Sequence, residues 1–115
     1  MYLFICMTNL QLLIAKAIIE KEQLQNVDLL FIGDDCNKKN LFYLNKLRTY
    51  FRKISIRAPA PKTSTLKTIN RTRYAKKIIE MYNDNYSIVF FANFHVPLIH
   101  HILSHLKFLD IRTFD

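Results

Sequence analysis

The chain has 115 residues and a mass of 13.7 kDa, room for one domain with a single core. Half its residues are hydrophobic and 23% are charged, a globular composition that excludes a disordered chain, and its one glycine, Gly33, excludes glycine-rich phosphate loops. The net charge of +8 disfavours cationic partners and favours anionic ones.

Taken in chain order, apolar runs alternate with helical spacing. Tyr2 to Cys6 is a short continuous apolar run, as expected of a strand buried on both faces. Thr8 or Asn9 then caps a helix, with Leu10, Leu13 and Ala17 expected inward and Ile14 and Ile18 beside them. Val27 to Ile32 is a second strand, ended by Gly33-Asp34-Asp35. Asn37 can cap a second helix that presents Leu41, Leu44 and Leu47, with Phe51 continuing the face. Ile54 to Ile56 is a weaker, more polar strand, suited to an edge. A Pro- and Lys-containing loop follows from Ala58, and a third helix is expected from about Leu66 to Tyr82, with Leu66, Ile69, Ala75, Ile78 and Tyr82 inward. Ser87 to Ala92 is the most apolar strand. A helix from Val96 to Leu106 begins beside Pro97, a residue at home in a first turn, and Asp110 to Phe114 is a fifth, alternating strand.

Strands separated by helices imply right-handed crossovers and a parallel sheet, an α/β Rossmann-like fold. The order 3-2-1-4-5 places the two most apolar strands, the first and fourth, together at the centre. Ligands of such sheets bind beyond the carboxyl ends of the strands, where the order reverses. That crevice is expected to be lined by Met7, Thr8 and Asn9, by Asn93, Phe94 and His95, and by Asp115. The chain stops where its last strand meets the crevice, with no helix following, which reads as an N-terminal fragment of a longer protein.

Two cysteines, Cys6 and Cys36, make neither a disulfide scaffold nor a metal site and suit a reducing compartment. Tyr2 to Ile19 contains Asn9, Gln11 and Lys16, which interrupt the run of about 20 apolar residues that a bilayer requires.

The opening residues resemble a particular family. Cys6, Thr8, Leu10 and Gln11 match the Cys-x-Thr-x-Leu-Gln pattern with which glycosyltransferase family 52, the bacterial lipooligosaccharide sialyltransferases, follows its first strand. Ser87 to Ala92, a helix, and then Ile111-Arg-Thr-Phe-Asp115 are similar to the segment leading into the family's Thr-Phe-Asp-Asp-Gly-Thr-Gly-Asn run, of which this chain carries Thr113, Phe114 and the first Asp. The resemblance implies the N-terminal, acceptor-side half of a GT-B fold. The enzyme it implies transfers sialic acid from CMP-sialic acid to a terminal galactose of lipooligosaccharide or capsule, with no metal or other cofactor. It is cytoplasmic, on the inner face of the bacterial inner membrane. The family's principal nucleotide-binding and catalytic residues, including a His-Pro motif, lie in the other half. No histidine here matches that motif, so this fragment alone is expected to be inactive.

Each candidate residue has a plainer reading beside the functional one. Thr8 caps its helix, and its hydroxyl can also hold a sugar or phosphate oxygen. Gln11 is a first-turn polar residue or, by the resemblance, an acceptor contact. Asn93 and His95 are candidates by their place at the crevice. Asp115 is the candidate base, since a carboxylate at a strand end can take the acceptor's hydroxyl proton or orient the sugar. His101 and His105 stand one helical turn apart, a zinc-compatible spacing with no third ligand nearby, and are expected to pack or face solvent.

Between Cys36 and Ile79 there are 13 basic residues and no acid. The part of this stretch from Lys62 to Lys77 suits an anionic membrane surface. No nucleic-acid-binding pattern accompanies it, and no specific nucleic-acid partner is expected. The alternative from a different class is a stand-alone Rossmann-like module for an anionic ligand or nucleic acid.

Overall fold

Strands apolar on both faces belong inside a parallel sheet, and the computed structural model places them there. It describes residues 1–34, 36–57, 76–92 and 97–114. The strands are β1 (Tyr2–Cys6), β2 (Val27–Ile32), β3 (Lys53–Arg57), β4 (Asn85–Phe91) and β5 (Lys107–Thr113). They form one all-parallel sheet in the order β3-β2-β1-β4-β5, as the sequence predicts. Tyr2 pairs with Val27 on one side and with Ile88 on the other.

Helices α1 (Asn9–Glu22) and α2 (Lys38–Lys46) cover one face. There Phe4, Cys6, Leu29 and Phe31 of the sheet meet Leu12, Ala15 and Ile19 of α1 and Leu44 of α2. The opposite face carries Leu3, Ile5, Leu30 and Ile32. Against it pack the helical residues 76–81 (α3), through Ile78 and the following Tyr82, and α4 (Pro97–Leu103), through Ile99 and Ile102. Alternate residues of one strand therefore serve two cores. The rings of Phe4 and Phe90 stack at 4.4 Å, and Phe114 meets Phe4 edge-on at 5.6 Å, joining the two central strands to the end of β5.

Several expectations need correction. The buried stripe of α1 is Gln11, Leu12, Ala15 and Ile19, whereas Leu10 is 62% exposed and Leu13 and Ala17 also face outward. This helix is apolar almost all round, so spacing alone could not choose its inner face. In the second helix Leu44 is buried but Leu41 is exposed, and the helix ends at Lys46. A 3₁₀ turn (Arg48–Tyr50) then leads to a buried, extended Phe51. The fifth strand begins at Lys107, three residues earlier than expected. Its residues are exposed nearly throughout and do not alternate, because it is an edge strand. Of the third helix only 76–82 is described, with Ile78 and Tyr82 buried as expected; Leu66, Ile69 and Ala75 lie outside the described residues. The fourth helix starts at Pro97 and ends at Leu103, before the expected Leu106.

Neither cysteine is in a disulfide, and burial pushes the Cys6 thiol well above its ordinary range. Among the described residues no helix is long and apolar enough to cross a membrane.

Candidate functional site

The strand order reverses between β1 and β4. From β1 the chain turns to the α1 face, and α4, which follows β4, lies on the opposite face, so the fold rule sets the expected ligand crevice at their carboxyl ends. On the β1 side, Thr8 sits in extended backbone at the helix N-cap. Its Oγ1 accepts the Gln11 N–H at 3.1 Å, while Gln11 Oε1 reaches back to accept the Met7 N–H at 2.7 Å. This reciprocal pair is a capping box displaced by one residue, satisfying one open donor of the first turn, Gln11 N–H, and the N–H of Met7 just before the cap. It explains why Gln11 is only 3% exposed. The turn carrying the Cys-x-Thr-x-Leu-Gln pattern is thus rigid, with the carbonyl end of Gln11 committed to holding it.

Between those two residues lies Asn9. Its Oδ1 is buried and has no hydrogen-bond partner among the described residues. A buried polar atom left this way is costly, and such atoms are rare in folded proteins.

Across β2, Gly33 donates its N–H to Arg57 O at 2.8 Å, and a Cβ at this position would stand 2.6 Å from the fully buried ring of Phe31. The chain's one glycine is therefore set by close approach at the end of β2. Beyond it, Asp34 Oδ1 accepts the Cys36 N–H at 2.9 Å, and Asn37 Oδ1 caps α2 by accepting from Lys39 and Asn40. At the end of β4, Ala92 is buried. At the end of β5, Phe114 is buried and donates its N–H to Phe91 O. The candidates Asn93, His95 and Asp115 lie outside the described residues, as do 62–75 of the basic region; Lys76 and Lys77 are exposed.

A second open groove, about 500 Å³, lies between α2 and β3. Leu41, Phe51, Ile54 and Ile56 line it, with Arg48 and Arg52 beside them. None of Thr8, Asn9 or Gln11 borders it. His100 and His105 are exposed, and among the described residues no group of three or more His, Cys, Asp or Glu side chains could hold a metal ion.

The strongest electrostatic feature sits at the other end of the sheet and was not singled out from the sequence. Asp28, in β2, is fully buried. It receives Arg52 in a two-pronged pair, Nε to Oδ1 at 2.9 Å and a terminal nitrogen to Oδ2 at 2.8 Å, and Tyr86 Oη donates to Oδ2 at 2.8 Å. Arg52 also binds Asp84 at 2.9 Å. Hydrogen bonds to Asp28 and Asp84 hold the guanidinium firmly charged. The cluster ties the amino ends of β2, β3 and β4 together, opposite the crevice, so its role is architectural. One signal in the sequence pointed to it, a charge inside the otherwise apolar run of β2.

Compared with protein-family models, curated proteins and solved structures, the chain finds no match.

Proposed function

We propose that this chain is the acceptor-side domain of a bacterial family 52 glycosyltransferase, whose crevice beyond β1 and β4 holds a terminal galactose. In this reading sialic acid arrives from CMP-sialic acid and the acceptor belongs to lipooligosaccharide or capsule. The observation that carries it is the buried amide oxygen of Asn9 beside the crevice. Among the described residues it has no donor, and a sugar hydroxyl would supply one. The Cys6-x-Thr8-x-Leu10-Gln11 turn, capped on both sides of that amide, supports the same placement.

In the transfer, the acceptor oxygen bonds to the anomeric carbon as the bond from that carbon to the CMP phosphate breaks, with inversion. CMP departs with the bonding pair, and the hydroxyl proton passes to a base. Asp115, a carboxylate at a strand end, is that base or orients the sugar; by the resemblance Gln11 contacts the acceptor, and Thr8, Asn93 and His95 do so by their place at the crevice. The donor belongs to the partner domain of a GT-B enzyme. The basic residues from Lys62 to Lys77 meet the anionic inner face of the membrane, in keeping with a cytoplasmic enzyme.

Saturation-transfer NMR on the 115-residue chain tests the assignment. Lactose should receive magnetisation from the protein, Asn9→Leu should abolish the transfer while circular dichroism stays unchanged, and CMP should show no binding. Micromolar CMP affinity without galactoside contact would overturn the division of labour.

The run of 13 basic residues without an acid favours one second reading, a stand-alone module for an anionic ligand or nucleic acid. That reading requires oligonucleotide affinity that falls steeply with salt.

A further inference from the structure

Among the described residues β3 and β5 are the two edges of the sheet, and they differ in what they offer a second chain. A strand edge exposes unpaired N–H and C=O groups, and folded proteins guard such edges with charge, proline or short length. Strand β3 has five residues, Lys53 near one end and Arg57 at the other. An antiparallel partner of identical sequence centred on Ser55 would set Lys53 against Arg57, so this edge repels its own copy.

Strand β5 is longer, seven residues, and carries no proline. Leu109 is 90% exposed and Ile111 40%, while Asp110, Arg112 and Thr113 also face solvent. The Phe114 N–H points to Phe91 in β4. Alternation along the strand then turns the amides of Asp110 and Arg112 toward β4, and those of Ile111 and Thr113 toward the open edge. The outward Ile111 N–H is met by the carboxylate of its own neighbour, Asp110, at 2.9 Å.

We propose that the open edge of β5 is a homodimer interface, in which two copies pair β5 antiparallel across a twofold axis centred on Ile111 and continue into a ten-stranded sheet. Charge selects the register. Hydrogen-bonded pairing needs outward residues opposite outward residues, which leaves centres at Asp110, Ile111 and Arg112 as the choices near the middle of the exposed run. Centring on Asp110 sets carboxylate against carboxylate, and centring on Arg112 sets guanidinium against guanidinium. Centring on Ile111 sets Asp110 of each copy against Arg112 of the other, twice, because a twofold interface repeats every contact. These two residues form the non-hydrogen-bonded pair, where side chains approach closest. Leu109 then lies alongside Thr113 of the second copy.

The contacts given up are weak ones. Asp110 leaves the Ile111 N–H, which gains the carbonyl of Ile111 in the second copy. Arg112 leaves Glu22, an exposed pair at 3.3 Å. The interface is that of this 115-residue chain and does not rest on the sugar-binding assignment.

Sedimentation velocity over a concentration series tests it on the intact chain. A reversible species of twice 13.7 kDa is expected. Asp110→Arg and, independently, Arg112→Glu should each raise the dimer Kd by about tenfold or more. The double variant Asp110→Arg/Arg112→Asp should restore it, with circular dichroism showing every variant folded. A chain that stays at the monomer mass up to about 1 mM overturns the proposal. So does a dimer that ignores both single reversals, or one that the double swap fails to rescue.

Discussion

Asp28 is a full charge inside a strand that is otherwise wholly apolar, and it is tolerated because every side of its carboxylate is met. Arg52 supplies two donors and Tyr86 a third, so the desolvation cost is offset locally. Such an arrangement contributes modestly when whole and costs heavily when broken. Asp28→Asn keeps the shape but removes the charge and one acceptor, leaving Arg52 with Asp84 alone. Arg52 is partly solvated, which reduces the loss. We expect a destabilisation of about 2 to 4 kcal/mol, measured as a lower midpoint in urea with an unchanged slope. An unchanged midpoint would show that the cluster is replaceable by solvent. The crevice lies at the opposite end of the strands, so any galactoside contact should survive the substitution in folded protein.

At the scale of the element, α1 shows how a glycine-poor sequence ends its helices. Thr8 and Gln11 close the amino end. The carboxyl end closes on Gln23 in the left-handed region, φ 53°, and the loop beyond it uses Asn26 at φ 56°. A left-handed residue with a side chain is strained, and glycine is the usual occupant of that position. Gln23→Gly should therefore stabilise the chain by about 0.5 to 1 kcal/mol. Thr8→Ala should destabilise it by about 1 kcal/mol. Thermal melts of the two variants should move in opposite directions. A Thr8→Ala melt equal to the parent would show that Gln11 alone holds the turn.

The same helix marks the boundary of what could be read from the residues. Strands β1 and β2 were legible to the residue because uninterrupted apolar runs bounded by polar turns admit one reading. The sheet order followed from ranking those runs by apolarity, since the most apolar strands need neighbours on both sides. The inward face of α1 was not legible, because Leu10, Leu12, Leu13, Ile14, Ala15, Ala17, Ile18 and Ile19 leave no polar face to orient it. Its phase is set by the cap and the sheet beneath. The start of β5 was misplaced because an edge strand needs no apolar alternation, and Lys107 and Leu109 both face water. At the candidate site, the capping by Thr8 was legible. The inward turn of the Gln11 carbonyl and the unpartnered Asn9 oxygen depend on side-chain rotamers that no spacing encodes.

At the scale of the whole molecule, two buried tyrosines make stability sensitive to alkali. Burial pushes the Tyr82 hydroxyl up to about 12. Burial, then the hydrogen bond to Asp28, pushes Tyr86 further in the same direction. In the unfolded chain tyrosine ionises near 10. Below that pH both states keep their tyrosine protons and this part of the native state's advantage is whole. As pH rises from about 10 toward 12 the unfolded chain releases protons that the folded chain retains, and stability falls. The urea midpoint should hold steady between about pH 6 and 8, begin to fall at about 8.5 as the Cys6 thiol, which burial keeps protonated in the folded state, ionises in the unfolded chain, and drop more steeply above about 10. Of the tyrosinate absorbance from six tyrosines, the part that Tyr82→Phe/Tyr86→Phe removes should appear together with loss of the helical circular dichroism signal. That part forming before any loss of structure would mean that the Tyr82 and Tyr86 hydroxyls are reachable by water in the native state.

The central position of β1 has a consequence for how the protein comes into being on the ribosome. Tyr2 finds Val27 early, but its other neighbour, Ile88, is translated only after most of the chain. The first half can therefore lay down β3-β2-β1 in order while the strand destined for the centre waits with one flank bare. Contacts so distant in sequence form slowly, and bare strand flanks invite mispairing with other nascent chains. The Asp28 cluster is placed to close that interval. Arg52 is made before the delay and Tyr86 just after it, so the Asp28–Arg52 pair can form before β4 arrives, and Tyr86 completes it from the amino end of β4.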